Sequence, residues 1–193
     1  MRRSIFACGL LLVLAGISSV VSTAAGGTDR QPEAAQHQQA RSRAEARSSA
    51  YWSQAARRAE AATAHWLTVV RGRPPRLSFD QRGKMSPEEA RNLARKWHRR
   101  ASAASRTAHH PPKLQAWQCI HHYEGSWRDP NAPYWGGLQM DYSFQSAYGA
   151  WLLKHKGTAN HWAPLAQIWA GVRAWRVRGF EPWAGSAHAC GVY

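Results

Sequence analysis

The chain has 193 residues and a formal net charge of +15, with 26 Lys and Arg against 11 Asp and Glu. That length holds one compact domain and an extension, once a leader is set aside. The basic excess does not point to nucleic acid, because no interleaved aromatic and basic reading surface and no known nucleic-acid motif accompanies it.

Chain order starts with a sorting label. Arg2-Arg3 precedes an apolar run from Ile5 to Val21, and the small residues Ser22-Thr23-Ala24-Ala25 follow. This pattern predicts a signal peptide over residues 1–25, cleaved after Ala24 or Ala25. The alternative is an uncleaved anchor, which Gly16, Ser18 and Ser19 weaken. The paired arginines suit folded export and are also ordinary in a secretory leader. Cys8 lies inside the apolar run, where a lipoprotein's acylated cysteine does not sit. No stable membrane span is expected after processing, and the product is expected outside the cell or in the wall.

Residues 26–112 read as a basic, Ala- and Arg-rich helical extension. The polar, Gln-rich stretch up to about residue 45 is expected to be mobile. Tyr51, Trp52, Ala55, Ala56, Ala59, Ala62, Trp66, Val69 and Val70 then recur at three- and four-residue intervals, the spacing of one helical stripe ending at Gly72. After a loop at Arg73-Pro74-Pro75, Ser86-Pro87-Glu88-Glu89 supplies an N-cap, a first-turn proline and a capping-box glutamate. The second helix runs towards His109, and its Leu93, Trp97 and Ala101 or Ala104 pack on the first stripe as a helical hairpin. Pro111-Pro112 marks the boundary. Residues 26–113 carry 18 Lys and Arg against 7 Asp and Glu, a net of +11, while residues 114–193 carry 6 against 4, a net of +2. The expected partners of the extension are therefore anionic wall polymers such as teichoic acids.

Residues 113–193 hold eight of the eleven tryptophans, so part of the core must be built from them. Leu114, Trp117, Ile120 and Tyr123 share helical spacing up to a stop at Gly125. Asp141 caps a helix carrying Phe144, Tyr148, Trp151 and Leu152 that closes near Gly157. Leu165, Ile168, Trp169, Val172 and Trp175 form a third, closing at Gly179. Between the first two, Asp129-Pro130-Asn131-Ala132-Pro133 and Gly136-Gly137 are turn chemistry, with room for a short hairpin or an irregular cleft loop. The fold class is mainly α. Without the leader, Cys119 and Cys190 are an even pair in an exported chain, and a disulfide is the default; free thiols or a metal pair are the alternatives.

Glu124 ends the first of these helices among aromatic rings, a setting that favours the neutral acid and so proton donation. The run from Trp117 to Trp127 with Glu124 inside it, the block Tyr134-Trp135-Gly136-Gly137-Leu138-Gln139-Met140, the aromatic helix after it, and Phe180-Glu181-Pro182-Trp183 leading to Cys190 together resemble the resuscitation-promoting factor catalytic domain of actinobacteria. The resemblance covers about residues 113–193. It implies a compact lysozyme-like domain that cleaves peptidoglycan, with Glu124 as the catalytic acid and Gly136, Gly137, Leu138 and Gln139 as the cleft segment. The family reads Glu-Ser-Gly-Gly-Asn-Trp where this chain reads Glu124-Gly125-Ser126-Trp127, and the family's hydroxyl after the Gln block has no secure counterpart among Tyr142, Ser143 and Phe144.

Only four acids occur after residue 113, so a second catalytic carboxylate has few candidates. Asp129 reads as a turn former, Asp141 as a helix cap and Glu181 as exposed. A one-acid lytic transglycosylase acting on the MurNAc-GlcNAc bond is the expected function; a hydrolytic muramidase and a wall-glycan-binding or signalling module are the alternatives. Trp135, Trp127 and Tyr134 are candidate sugar contacts beside Gln139 and Gly137, although an aromatic cluster is also simply a core. His121 and His122 flank the acid and could tune it. The other histidines lack a metal-binding pattern, and no metal or cofactor is expected.

Overall fold

A computed structural model describes residues 30–77 and 85–192; residues 1–29, which include the expected signal peptide, residues 78–84 and residue 193 lie outside it. The described chain is mainly helical: α1 Arg30–Arg71, α2 Pro87–His109, α3 Leu114–Glu124, α4 Tyr142–Lys156, α5 Pro164–Arg178 and α6 Ala184–Ala189, with single 3-10 turns at Ala159–His161 and Glu181–Trp183. Two compact units divide within α1, Met1–Gln39 and Ala40–Tyr193. Of the first, the described part is the opening of α1, with an exposed polar surface.

Helix α1 starts well before the Tyr51 at which the apolar stripe suggests a beginning, so the stretch expected to be mobile is helical from Arg30. The reason is local. Its residues 33–50 are rich in Ala, Arg, Gln and Glu, all good helix formers, and the one proline, Pro32, falls in the first turn where its missing N–H costs nothing. The stripe itself buries Ala56 and Val69, while Tyr51 stays 63% exposed and meets Trp52 edge-on.

Helix α2 begins as its residues dictate. Glu89 N–H donates to Ser86 Oγ, and Ser86 N–H donates to the Glu89 carboxylate at 2.8 Å, which closes the capping box. Trp97 and Ala94 pack with Ala56, flanked by Trp52, Ala55, Ala59 and Leu93, so α1 and α2 form the expected hairpin. Packing continues across the boundary expected at residue 112. Val69 and Ala108 sit in the same hydrophobic cluster as Trp117, Ile120, Trp169 and Val172, and Trp169 Nε1 donates to Ala108 O at 2.9 Å. Arg173, half-buried, donates from Nε to Tyr148 O (2.6 Å) and from Nη1 to Val70 O (2.9 Å). Burial pushes its guanidinium down to about 10, and neighbouring Arg176 adds to the shift. The hairpin end is thus part of the core that supports the rest.

In the C-terminal region the buried faces follow the tryptophan pattern. Trp117 is fully buried and touches Phe180 and Trp183, each with ring centroids 5.0 Å away. Tyr123, expected on the same face, is 59% exposed, and Ala116 takes the buried place instead. Among the described residues the cleft segment contains no strand, only one antiparallel bridge, Trp135 to Met140. Cys119 and Cys190 are disulfide-bonded and tie α3 to the residue that follows α6. No described helix is long and apolar enough to cross a membrane.

Candidate active site

Glu124 is placed by both ends of α3. At the start, Trp117 Nε1 donates to Pro112 O at 2.9 Å; at the end, Gly125 adopts φ 133° and gives its N–H to His121 O. The carboxylate is half-buried. It accepts a 2.6 Å hydrogen bond from Ser186 Oγ to Oε1, and Ser186 Oγ also lies 3.2 Å from Trp183 O. Ser186 belongs to α6, so the Cys119–Cys190 bridge and this hydrogen bond join the same two parts of the chain. Nothing in the sequence singles out Ser186; it is one small polar residue in a short helix far along the chain.

The three other acids of this region are all committed. Asp129 accepts from Asn131 N–H (3.1 Å) and from Gln139 Nε2 (2.9 Å), and these bonds, the first above all, hold its carboxyl below the usual aspartate range. Asp141 caps α4 through Phe144 N–H at 2.6 Å, which lowers it likewise. Glu181 is exposed and pairs with Arg178 at 3.0 Å, the contact that raises Arg178. Among the described residues after 113, Glu124 is the one carboxylate with neither an N–H donor nor a cation on it.

The loop between α3 and α4 is irregular, so its buried backbone groups need partners from elsewhere. Gln167 supplies two of them. Fully buried on α5, it accepts from Gly137 N–H at Oε1 (2.8 Å), while Nε2 lies 2.8 Å from both Trp127 O and Ala159 O. Gln145, equally buried, donates to Met140 O at 2.7 Å and accepts from Ala159 N–H at 2.8 Å. Trp183 Nε1 donates to Leu138 O at 2.8 Å. Neither glutamine stands out in the sequence, where both sit on helices among apolar neighbours; the only signal is a long polar residue on a face the periodicity makes apolar.

The expected substrate contacts differ in exposure and in what they pack against. Trp127 is half-buried and stacks on His121 with ring centroids 3.7 Å apart, and His121 Nδ1–H donates to Gly137 O at 3.1 Å. His121 is thereby turned to the loop rather than to Glu124, and His122 is exposed. Gly137 is needed because a Cβ there would lie 2.5 Å from His121 Nδ1 and 2.6 Å from Trp127 Cε3. Trp135 is half-buried against the core, with its backbone paired to Met140. Tyr134 is 49% exposed.

Gln139 takes a left-handed backbone, φ 47°, which folds its amide back inside the loop. Its Nε2 donates to Asp129 Oδ2 and to Gly136 O (3.0 Å), so both amide hydrogens are used and Oε1 is the atom left for a ligand. A cavity of about 330 Å³ opens beside it, lined by Tyr134, Gln139, Asp141, Tyr148, Arg178 and Trp183 among others. Glu124, Gly137, Trp127 and Trp135 are not on that lining. Gln139 is the link, since its Nε2 would lie 3.6 Å from a Cβ at Gly125, the residue after Glu124. Among the described residues no group of three His, Cys, Asp or Glu side chains is placed to hold a metal ion. Compared with known protein families, curated proteins and solved structures, the chain matches none.

Proposed function

We propose that the chain is an exported peptidoglycan-cleaving enzyme of lysozyme-like, resuscitation-promoting-factor type, a lytic transglycosylase with Glu124 as its single acid. The observation that carries this reading is the state of the four carboxylates: three are held by N–H groups or a cation, and Glu124 is half-buried with one hydroxyl on Oε1. Ser186 on Oε1 leaves Oε2 to carry the proton. Glu124 then protonates the glycosidic oxygen as its bond to the MurNAc anomeric carbon breaks. The resulting carboxylate takes the proton of the MurNAc 6-hydroxyl as that oxygen bonds to the same carbon, which closes a 1,6-anhydro ring and restores the acid. No water enters, and no second carboxylate is required.

Gln139 Oε1 accepts from a sugar hydroxyl or N-acetyl N–H, and Tyr134 offers an exposed ring to a sugar face. Trp127 and Gly137 shape the loop through their packing with His121, and Trp135 through its pairing with Met140. The basic hairpin supplies attraction to anionic wall polymers.

Hydrolysis is the second reading, favoured by the position of Asp129. Its Oδ2 would lie 3.9 Å from a Cβ at Gly125, the residue after Glu124, where a second carboxylate could meet a water. Glu124→Gln tests the shared claim: lysis of purified walls is expected to disappear with the fold intact. Unchanged lysis would remove Glu124 from the chemistry. A glycan-binding module would instead bind walls in both forms and lyse them in neither.

A further inference from the structure

A separate groove of about 420 Å³ lies where α1 meets the C-terminal region. Its floor is apolar: Val69, Leu152, Trp162 and Ala166 are all at most 8% exposed. Above it stand Arg128, Lys156, His65 and His161, all exposed, and no acid is on the lining. Arg128 belongs to the loop that follows Glu124, and the carbonyl of its neighbour Trp127 is held by the same Gln167 amide that approaches Trp162 O at 3.1 Å. The groove and the candidate active site therefore share a loop and one buried pin.

We propose that this groove binds the stem peptide of peptidoglycan: a short peptide with methyl-sized side chains and free carboxylates. The inference rests on the reading of the substrate as a peptide-bearing glycan. An apolar floor stepped by Val69, Ala163 and Ala166 suits alanine methyl groups, and a rim carrying Arg128 and Lys156 without acids suits carboxylates. A glycerol-phosphate polymer fits less well, because its hydroxyls gain nothing from an indole and aliphatic floor. The hairpin thus contributes to recognition through Thr68 and Val69 as well as through its charge.

The test is calorimetric titration of the full chain with a free stem tetrapeptide, its amidated neutral form and a glycerol-phosphate oligomer, in the parent, Arg128→Gln and Lys156→Gln. Saturable binding of the tetrapeptide is expected, weakened about tenfold or more by either substitution and by amidation, with no competition from the oligomer. Circular dichroism checks that both surface variants fold. Absent binding, binding unchanged in both variants, or displacement by the oligomer would each overturn the proposal. Because binding is read without turnover, Glu124→Gln is expected to bind the tetrapeptide normally. A chain that binds it but never cleaves walls would sink the enzyme reading and leave the groove standing.

Discussion

The α1–α2 hairpin and the loop from Gly125 to Asp141 are held by different physics. The hairpin is an apolar seam: Trp97, Ala94 and Ala56 with flanking Trp52 and Leu93, fixed at one end by a capping box. Removing water from such a seam contributes stability in proportion to area and needs no single atom to be placed. The loop has little regular structure and is suspended from its neighbours by named hydrogen bonds from Gln167, Gln145, Trp183 and His121. A seam tolerates substitution gradually, whereas a hydrogen-bonded suspension fails when one buried partner is removed. The residues proposed for chemistry border the second kind, where positioning matters most.

The largest expected effect tests whether the hairpin is truly part of the core. A chain beginning at Pro111 loses Val69 and Ala108 from the main cluster, the acceptor of Trp169 Nε1 and one acceptor of the half-buried Arg173. It is expected to lose its cooperative thermal transition, read by calorimetry; unfolding with an unchanged Tm would make the hairpin a removable appendage.

Next comes the disulfide, which joins the parts bearing Glu124 and Ser186. With its cysteines at a sequence separation of 71, reduction is expected to cost about 4 kcal/mol on the chain-entropy account. Urea unfolding with and without reductant measures it, and equal midpoints would contradict the staple.

Gln167→Leu sharpens the contrast between seam and suspension. It keeps the volume roughly constant but strands Gly137 N–H and the carbonyls of Trp127 and Ala159, a loss of roughly 3 kcal/mol. Urea denaturation gives the value. A cost below about 0.5 kcal/mol would mean that the loop does not depend on this pin.

The smallest effect concerns acid. Asp141 titrates below its ordinary 3.8 because Phe144 N–H and the Ser143 hydroxyl bond the carboxylate. A lowered folded-state value means that its contribution is fully present above the unfolded value and is lost as pH falls through the lowered one. Stability is therefore expected to fall with acid below about pH 3.8, and Asp141→Asn to flatten that fall. Thermal scans across pH 2 to 5 compare the two; parallel curves would remove Asp141 from the acid response.

The same division explains what was legible in the sequence. Ser86 to Glu89 announced the start of α2, Asp141 that of α4, and Gly72, Gly125, Gly157 and Gly179 the ends of four helices, because caps and stops are local chemistry. Periodicity found the seam but misassigned Tyr51 and Tyr123, whose rings sit at stripe edges and reach solvent. It also missed the early start of α1, since a polar helix carries no stripe. Within the candidate site, Glu124 and Gln139 were legible as motif residues. Ser186 and Gln167 were not, because each acts across a long separation in the chain, and the His121–Trp127 stack was not, because it forms across the irregular turn at Gly125, where no periodicity pairs residues.

The most direct measurement is mass analysis of muropeptides released when the purified protein acts on isolated walls. A single-acid lytic transglycosylase predicts 1,6-anhydro-MurNAc ends from the parent chain and none from Glu124→Gln. Reducing MurNAc ends would contradict the single-acid mechanism in favour of hydrolysis with Asp129, and no released fragments from a folded, disulfide-bonded chain would contradict cleavage itself.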